Sequence, residues 1–279
     1  REQATSLADK TLSLAERLGH LGAAFMVLSD RIRNAAMLGD LPQVEALGPQ
    51  IVDIGERGGL PWRYLGHLYL GLAAHRRGNA ERAEAQLRNA VQLEPLGAFA
   101  GQSAAVLARH LANYGRAGEV IELFESARSK LPKLDRVNGI GSWSCLLNFV
   151  EAFYVCGLNE EAAALSPLVE GVLELDKRWI SFDGRLAVTR AGLVAAAARR
   201  WEDAERHFGV AREIAEQMQN RLELADLDRL EARMLLDRGG KGDHERAAKM
   251  LQEALSAYRT FGMPAYTAEA ERLLGLARV

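Results

Sequence analysis

The sequence has little of what marks secreted, membrane or nucleic-acid-binding proteins. Its two cysteines, Cys145 and Cys156, are too few for a disulfide framework, so we expect a cytoplasmic protein. The net charge of −2 lacks the basic excess of a nucleic-acid-binding domain, and we expect no direct nucleic-acid contact from this region. The longest apolar run, 187–198, is interrupted by Thr189 and Arg190, which argues against a membrane-spanning helix.

Patterns typical of catalysis and metal binding are missing as well. The histidines are scattered, and no carboxylate or cysteine completes a metal site beside His67 and His75. The segment "GGKGD", 239–243, lacks the spacing of a phosphate-binding loop. The carboxylates alternate with Arg and Lys on helix faces and form no catalytic constellation. We therefore expect a chain that is not an enzyme and holds no cofactor or metal.

What the sequence does contain is an internal repeat. Downstream of Gly78, small or apolar residues follow at Ala83, Leu87 and Ala90, and Pro95 ends the segment. The spacing recurs, with departures, at intervals of about 40 residues. It recurs after five further anchor residues, which are Gly39, Gly115, Gly157, Arg199 and Gly242.

Each repeat has the pattern of two amphipathic helices joined by a tight turn. Apolar residues fall at i, i+3, i+4 and i+7 on both sides of the anchor, which predicts a helix on each side. The anchor glycine permits the turn, and the small residue after it lets the helices approach closely. The predicted units are 20–58, 60–96, 98–132, 142–176, 184–219 and 221–260, with a terminal helix at 264–278.

The repeat resembles the tetratricopeptide repeat. The match is best around Gly78, where Leu70 and Gly71 upstream, and Ala83, Leu87, Ala90 and Pro95 downstream, fall on the preferred positions of the motif. The resemblance implies an all-α fold, a right-handed superhelix of about six helical hairpins. Because one hairpin cannot bury its apolar face alone, the units should stack on each other as a single repeat domain over 1–279. Trp62, Trp143 and Trp179 are expected to be packing anchors between repeats.

The final segment, 247–279, is similar to the C-terminal region of large bacterial ATP-binding signalling regulators. These join an ATP-binding module to tetratricopeptide-like arrays and are nucleotide-cyclase-linked or carry a LuxR-type domain. The chain begins at Arg1 rather than Met, and its first residues already carry a helical pattern. We therefore expect a fragment of a larger protein involved in signal transduction or transcription regulation.

The resemblance also implies a binding surface, because the first helix of each tetratricopeptide unit lines the concave face. Carried over position by position, it gives Arg33, His75, Arg76, Gln102, Arg109, Asn113, Glu151, Tyr154, Thr189, Arg229 and Arg233. Among these, Arg33, Arg76 and Arg109 could form a basic stripe for a carboxylate or phosphate group. The alternative is that these arginines lie over apolar helix surface and pair with nearby Glu.

Together these observations predict a non-catalytic region that binds a peptide, a partner domain or a small effector on its concave face. The alternative is a self-association scaffold that forms a homodimer through a lateral surface or a terminal helix.

Overall fold

The computed structural model describes residues 2–59, 61–176 and 184–278. These residues form fifteen α-helices. Their bounds are α1 Glu2–Arg17, α2 Leu21–Leu38, α3 Leu41–Arg57, α4 Tyr64–Arg76, α5 Ala80–Leu93, α6 Gln102–Ala112, α7 Ala117–Ala127, α8 Ile140–Cys156, α9 Asn159–Ala164, α10 Ser166–Leu175, α11 Ala187–Ala197, α12 Trp201–Gln217, α13 Arg221–Arg238, α14 Asp243–Phe261 and α15 Pro264–Ala277.

The helices pair into six hairpins, which confirms the predicted all-α array. The pairs are α2/α3, α4/α5, α6/α7, α8 with α9 and α10, α11/α12, and α13/α14. In the fourth hairpin the second helix is divided at Leu165, and Pro167 lies in the first turn of α10. Proline has no backbone N–H and cannot continue a preceding helix, which accounts for the break.

Close packing inside the α4/α5 hairpin explains its small residues. A Cβ atom on Gly71 would lie 2.6 Å from Leu87 Cγ, so only glycine fits at this crossing. Ala83, Leu87 and Ala90 are fully buried. The Asn79 side chain accepts a hydrogen bond from the backbone N–H of Arg82 at 3.1 Å and caps α5. These residues form the scaffold, as their match to the repeat motif predicts.

The turn anchors share one backbone conformation. Gly39, Gly78 and Gly157 have φ angles of 74°, 77° and 76°, in the left-handed region that glycine adopts without steric cost. Arg199 occupies the same place in the fifth hairpin and has φ 56° although it is not glycine. The fold therefore imposes the left-handed turn even where the sequence offers no glycine, and a backbone of this kind costs on the order of 1–3 kcal/mol.

The array curves until its C-terminal helices contact its first hairpins. Helix α13 contacts α2, and α15 contacts α4. Arg77 Nη1 donates to the carbonyl of Gly262 at 3.2 Å, across 185 residues of sequence. A Cβ atom on Gly39 would lie 2.9 Å from the ring of Phe261. The ends of the array thus meet, and this closure decides what becomes of the predicted concave face.

The tryptophans fit the predicted packing role where they are described. The Trp62 ring lies 5.4 Å from the Phe25 ring and 6.5 Å from the Phe99 ring, between consecutive hairpins. Trp143 is buried at the start of α8. Trp179 lies outside the described residues.

Candidate functional site

The predicted open groove is not what the structure contains. Eight of the eleven predicted residues are at most 3% exposed and lie in the closed interior. They are His75, Arg76, Gln102, Arg109, Glu151, Tyr154, Thr189 and Arg229. The prediction treated the array as open, whereas contacts of α13 with α2 and of α15 with α4 close it. Side chains that would face solvent in an open superhelix therefore face one another.

The predicted stripe of three arginines is likewise not an exposed surface. Arg33 lies at the outside of α2 and pairs with Asp30 at 2.9 Å. Arg76 is buried and donates to the carbonyl of Ala36 at 3.1 Å. Arg109 is buried as well, and its guanidinium group pairs with the buried carboxylate of Glu151. The three arginines do not form a stripe, because Arg76 bonds to a backbone carbonyl and Arg109 pairs with Glu151 inside the array.

Glu151 is the centre of a buried ion network. Its carboxylate accepts from Arg190 Nη2 at 2.6 Å and lies 3.5 Å from Arg109 Nη1. Arg229 Nη2 approaches it at 3.9 Å. Burial alone would raise the pKa of Glu151, but these guanidinium groups outweigh burial and hold the pKa at about 2. The network joins α6, α8, α11 and α13 through one carboxylate.

A second buried cluster is built on α13. Arg185 pairs with both Glu223 and Asp226. Glu223 also accepts from the hydroxyl of Thr189 at 2.5 Å, and Asp226 accepts from the hydroxyl of Tyr258 at 2.6 Å. Because charges in a low-dielectric interior are tolerated only when paired and hydrogen-bonded, this cluster fixes the relative position of α11, α13 and α14.

Arg229 connects these clusters to the terminal helix. Its Nη1 donates to both carboxylate oxygens of Glu269 on α15, at 2.9 and 3.0 Å. Its guanidinium carbon lies 5.2 Å from the centre of the Tyr266 ring, a cation–π contact. Arg229, which is 1% exposed, therefore links α13 to α15 through an ion pair and a cation–π contact.

One open site is a cleft where the C-terminal ends of α4, α6 and α8 face α13 and α15. Its volume is about 690 Å³. Three of the predicted residues line it, namely His75, Asn113 and Arg233. Further lining side chains that the sequence analysis did not assign are Arg77, Tyr114, Tyr266, Glu269 and Arg272. We call this the mouth cleft.

The floor of the mouth cleft is aromatic and electropositive. The His75 ring lies 5.5 Å from the Tyr266 ring and 6.4 Å from the Tyr114 ring. Burial, together with the charges of His110, Arg109 and Arg76, lowers the pKa of His75 well below its usual value, so this ring is neutral at pH 7. Burial raises the pKa of Tyr266, yet nearby arginines more than offset this effect and lower it overall.

The residues that the sequence analysis missed lie mainly on α15. The repeat pattern assigns no partner helix to α15. It therefore predicts α15 as a terminal helix and does not predict that α15 lines a cleft. The one available signal was the polar and aromatic pair Tyr266 and Glu269, spaced i, i+3 on one helix face. That pair contacts His75 and Arg229 in the closed array.

Among the described residues, no group of three or more His, Cys, Asp or Glu side chains is placed to hold a metal ion. None of the described helices is both long enough and apolar enough to span a membrane.

The chain matches no protein-family model, and its sequence matches no curated protein. Among solved structures, it is similar to a tetratricopeptide repeat protein from Parabacteroides merdae ATCC 43184. The TM-score is 0.39 and the identity 13%, over 99% of this chain and all of that one. The hairpins, left-handed turn anchors and small packing residues of the chain itself make it a tetratricopeptide-like helical array.

Proposed function

We propose that this chain is a non-catalytic recognition module of a bacterial signalling or transcription regulator, and that it binds a small effector in the mouth cleft. One observation carries the proposal. Closure fills the interior with paired charges and leaves a cleft of about 690 Å³ lined by aromatic, cationic and amide side chains. Concave sites of this size with a few convergent polar groups are typical of small-molecule binding.

The chemistry of the interior supports a role in binding and not in catalysis. A general acid or base works best with a pKa near the working pH. Glu151, with a pKa held at about 2, stays ionised and is enclosed by arginines. Its charge stabilises the array and is not available for proton transfer to a ligand in the cleft.

The position of the mouth cleft suggests how binding reaches an attached domain. The cleft is shared by early hairpins, through His75 and Asn113, and by the last elements, through Arg233 and Tyr266. A ligand that touches both sides stabilises the closed arrangement over an open one. Such differential affinity is what shifts a two-state equilibrium, and α15 is the element whose position it would bias.

Filling the mouth cleft tests this proposal. A set of carboxylates, phosphates, sugars and amino acids is screened by thermal shift on the whole chain, and we expect at least one to raise Tm. Ala268→Trp places an indole at an exposed helical position that lines the cleft, and should abolish the shift. Ala85→Trp makes the same change at an exposed position of α5 outside the cleft and should retain it. Equal shifts in both variants would contradict the proposal.

A homodimer is the second candidate, favoured by an exposed apolar face on α1. Leu7, Leu14 and Leu18 are 66%, 48% and 71% exposed, and Met26 on α2 is 56% exposed. Leu7 and Leu14 share one face of α1 by their spacing, and Leu18 directly follows the helix. Exposed apolar faces often mark association surfaces.

Self-association through α1 makes a simple prediction. The mass from light scattering should rise towards that of a dimer with concentration, and Leu14→Lys should return it to the monomer value. Because Leu14 is half exposed, the substitution should leave the helical circular dichroism unchanged. A monomer mass at every concentration would reject this candidate.

A further inference from the structure

His75 lines the mouth cleft, and one of its ring nitrogens is left without a hydrogen bond by the fold. The side chain is 3% exposed, and its Nε2 has no hydrogen-bond partner among the described residues. The other ring nitrogen, Nδ1, lies 3.1 Å from Nδ1 of His110. Buried polar atoms are almost always paired, because an unmade hydrogen bond costs about 1–3 kcal/mol. Because His75 also lines the cleft, its Nε2 is the buried nitrogen that a ligand bound there would satisfy.

The tautomers of the histidine pair define what that ligand atom can be. One Nδ1 must donate and the other accept, since both cannot carry a proton at 3.1 Å. If His110 donates, the neutral His75 carries its proton on Nε2 and offers an N–H to the cleft. The lowered pKa of His75 is consistent with the neutral ring that this arrangement needs.

Positive charge surrounds the same position. Arg272 lines the cleft, is exposed, and makes no ion pair or hydrogen bond with any described residue. Arg233 lines it too, with its guanidinium 5.4 Å from the centre of the Tyr154 ring. The first turn of α15, beginning at Pro264, directs a helix N-terminus at the cleft, and helix N-termini favour anions.

The acidic group in the cleft does not cancel this charge. Glu269 is the one carboxylate among the described lining residues, and both of its oxygens accept from Arg229 Nη1. Arg77, by contrast, is already paired with Glu45 and adds little free charge. The available charge is therefore that of Arg233 and Arg272.

One wall of the cleft is apolar. Tyr114 is 46% exposed and stands against the His110 ring at 5.1 Å between centroids. A ring of this kind at the rim of a cleft offers a flat contact surface for a planar ligand.

We propose that the mouth cleft binds a small molecule with a planar body and an anionic head, a carboxylate or a phosphate. This inference rests on the proposed function and names the chemical class of its effector. The head lies between Arg233, Arg272 and the start of α15, the Nε2–H of His75 donates to the ligand, and the planar body packs on Tyr114.

The experiment is isothermal titration of the whole chain at low salt with benzoate, phenyl phosphate and uncharged benzyl alcohol. We expect one or both anions to bind and the alcohol not to bind. Arg272→Gln should weaken the anion at least about tenfold, the loss expected for one charge-assisted hydrogen bond. The control Arg246→Gln removes an exposed arginine of α14 outside the cleft and should leave affinity unchanged. Comparing the affinities of benzoate and phenyl phosphate shows whether the cleft prefers a carboxylate or a phosphate group.

The results distinguish this inference from the proposed function. Absence of binding by both anions, or equal affinity in Arg272→Gln and Arg246→Gln, overturns the anionic class. If the thermal-shift screen then yields an uncharged ligand that Ala268→Trp excludes, the proposed function stands without the inference. A ¹⁵N shift of His75 Nε2 on addition of the bound anion supports the assigned contact, and an unchanged signal overturns it.

Discussion

Glu151→Gln is expected to lower the free energy of unfolding by about 3–5 kcal/mol, the cost of breaking a buried charge pair. The substitution keeps the shape of the side chain and removes only its charge. Arg109 and Arg190 would then lie in the interior without their shared carboxylate, at 2% and 1% side-chain exposure. Denaturant unfolding followed by circular dichroism at pH 7 measures the loss.

The pH dependence of the same variant identifies the cause. The pKa of Glu151 is about 2 in the folded chain and 4.5 without the fold. A lowered carboxyl pKa stabilises the fold fully above the unfolded value and loses its effect as the pH falls towards the folded value. The stability difference between wild type and Glu151→Gln should therefore be largest above pH 4.5 and shrink towards pH 2.

A matched control separates this effect from the general loss of a charge. Glu125→Gln removes an exposed carboxylate, 55% exposed, that pairs with Arg128 on the surface. Surface pairs contribute less than about 1 kcal/mol. Comparable losses in the two variants, or a pH-independent difference for Glu151→Gln, would contradict a charge network at the centre of the array.

Arg229→Met is expected to weaken the attachment of α15 to α13. The substitution retains an unbranched apolar side chain but removes the two bonds to Glu269 and the cation–π contact with Tyr266. It also leaves Asp226 with one fewer cation. We expect a loss of about 3 kcal/mol in the free energy of unfolding. Amide hydrogen exchange within 264–277 should also become faster than in the remaining helices.

The comparison for this variant is Arg246→Met on the neighbouring helix α14. Arg246 is 52% exposed and pairs with Glu205 at 2.8 Å on the outside. Its loss should cost less than about 1 kcal/mol and leave exchange in α15 unchanged. If hydrogen exchange in α15 were the same in Arg229→Met as in wild type, the contacts of Arg229 would not stabilise the terminal helix.

The hairpins were predictable because their determinants are local. Gly78 with Ala83 and Leu87 specifies a turn and a close helix crossing within a few turns of chain. The same reasoning placed the fifth hairpin at Arg199, where the backbone takes the left-handed turn with a residue that the motif does not favour. The spacing of apolar and small residues in the sequence therefore predicts the helices and how they pair into hairpins.

Closure of the array was not predictable, because it depends on contacts between residues far apart in sequence. Arg77 bonds to the carbonyl of Gly262, and His75 packs on Tyr266. Neither contact produces a periodic pattern in the sequence. A small change in the rotation between successive hairpins would also separate the partners. The position-by-position transfer of the motif assigned eleven residues to an open groove, whereas eight of them are buried in the closed array and Arg33 lies on the outside of α2.

The contact between the rings of His75 and Tyr266 is the most direct test of the closed array. The centroids lie 5.5 Å apart although the residues belong to the second hairpin and the terminal helix. In chain labelled selectively at His and Tyr, we predict a nuclear Overhauser cross-peak between these rings, assigned by its loss in Tyr266→Phe and His75→Gln. The His75–His110 cross-peak, from rings 5.1 Å apart in neighbouring hairpins, is the internal reference. A spectrum with the reference peak but no His75–Tyr266 peak would mean that the array is open, and that the mouth cleft does not form.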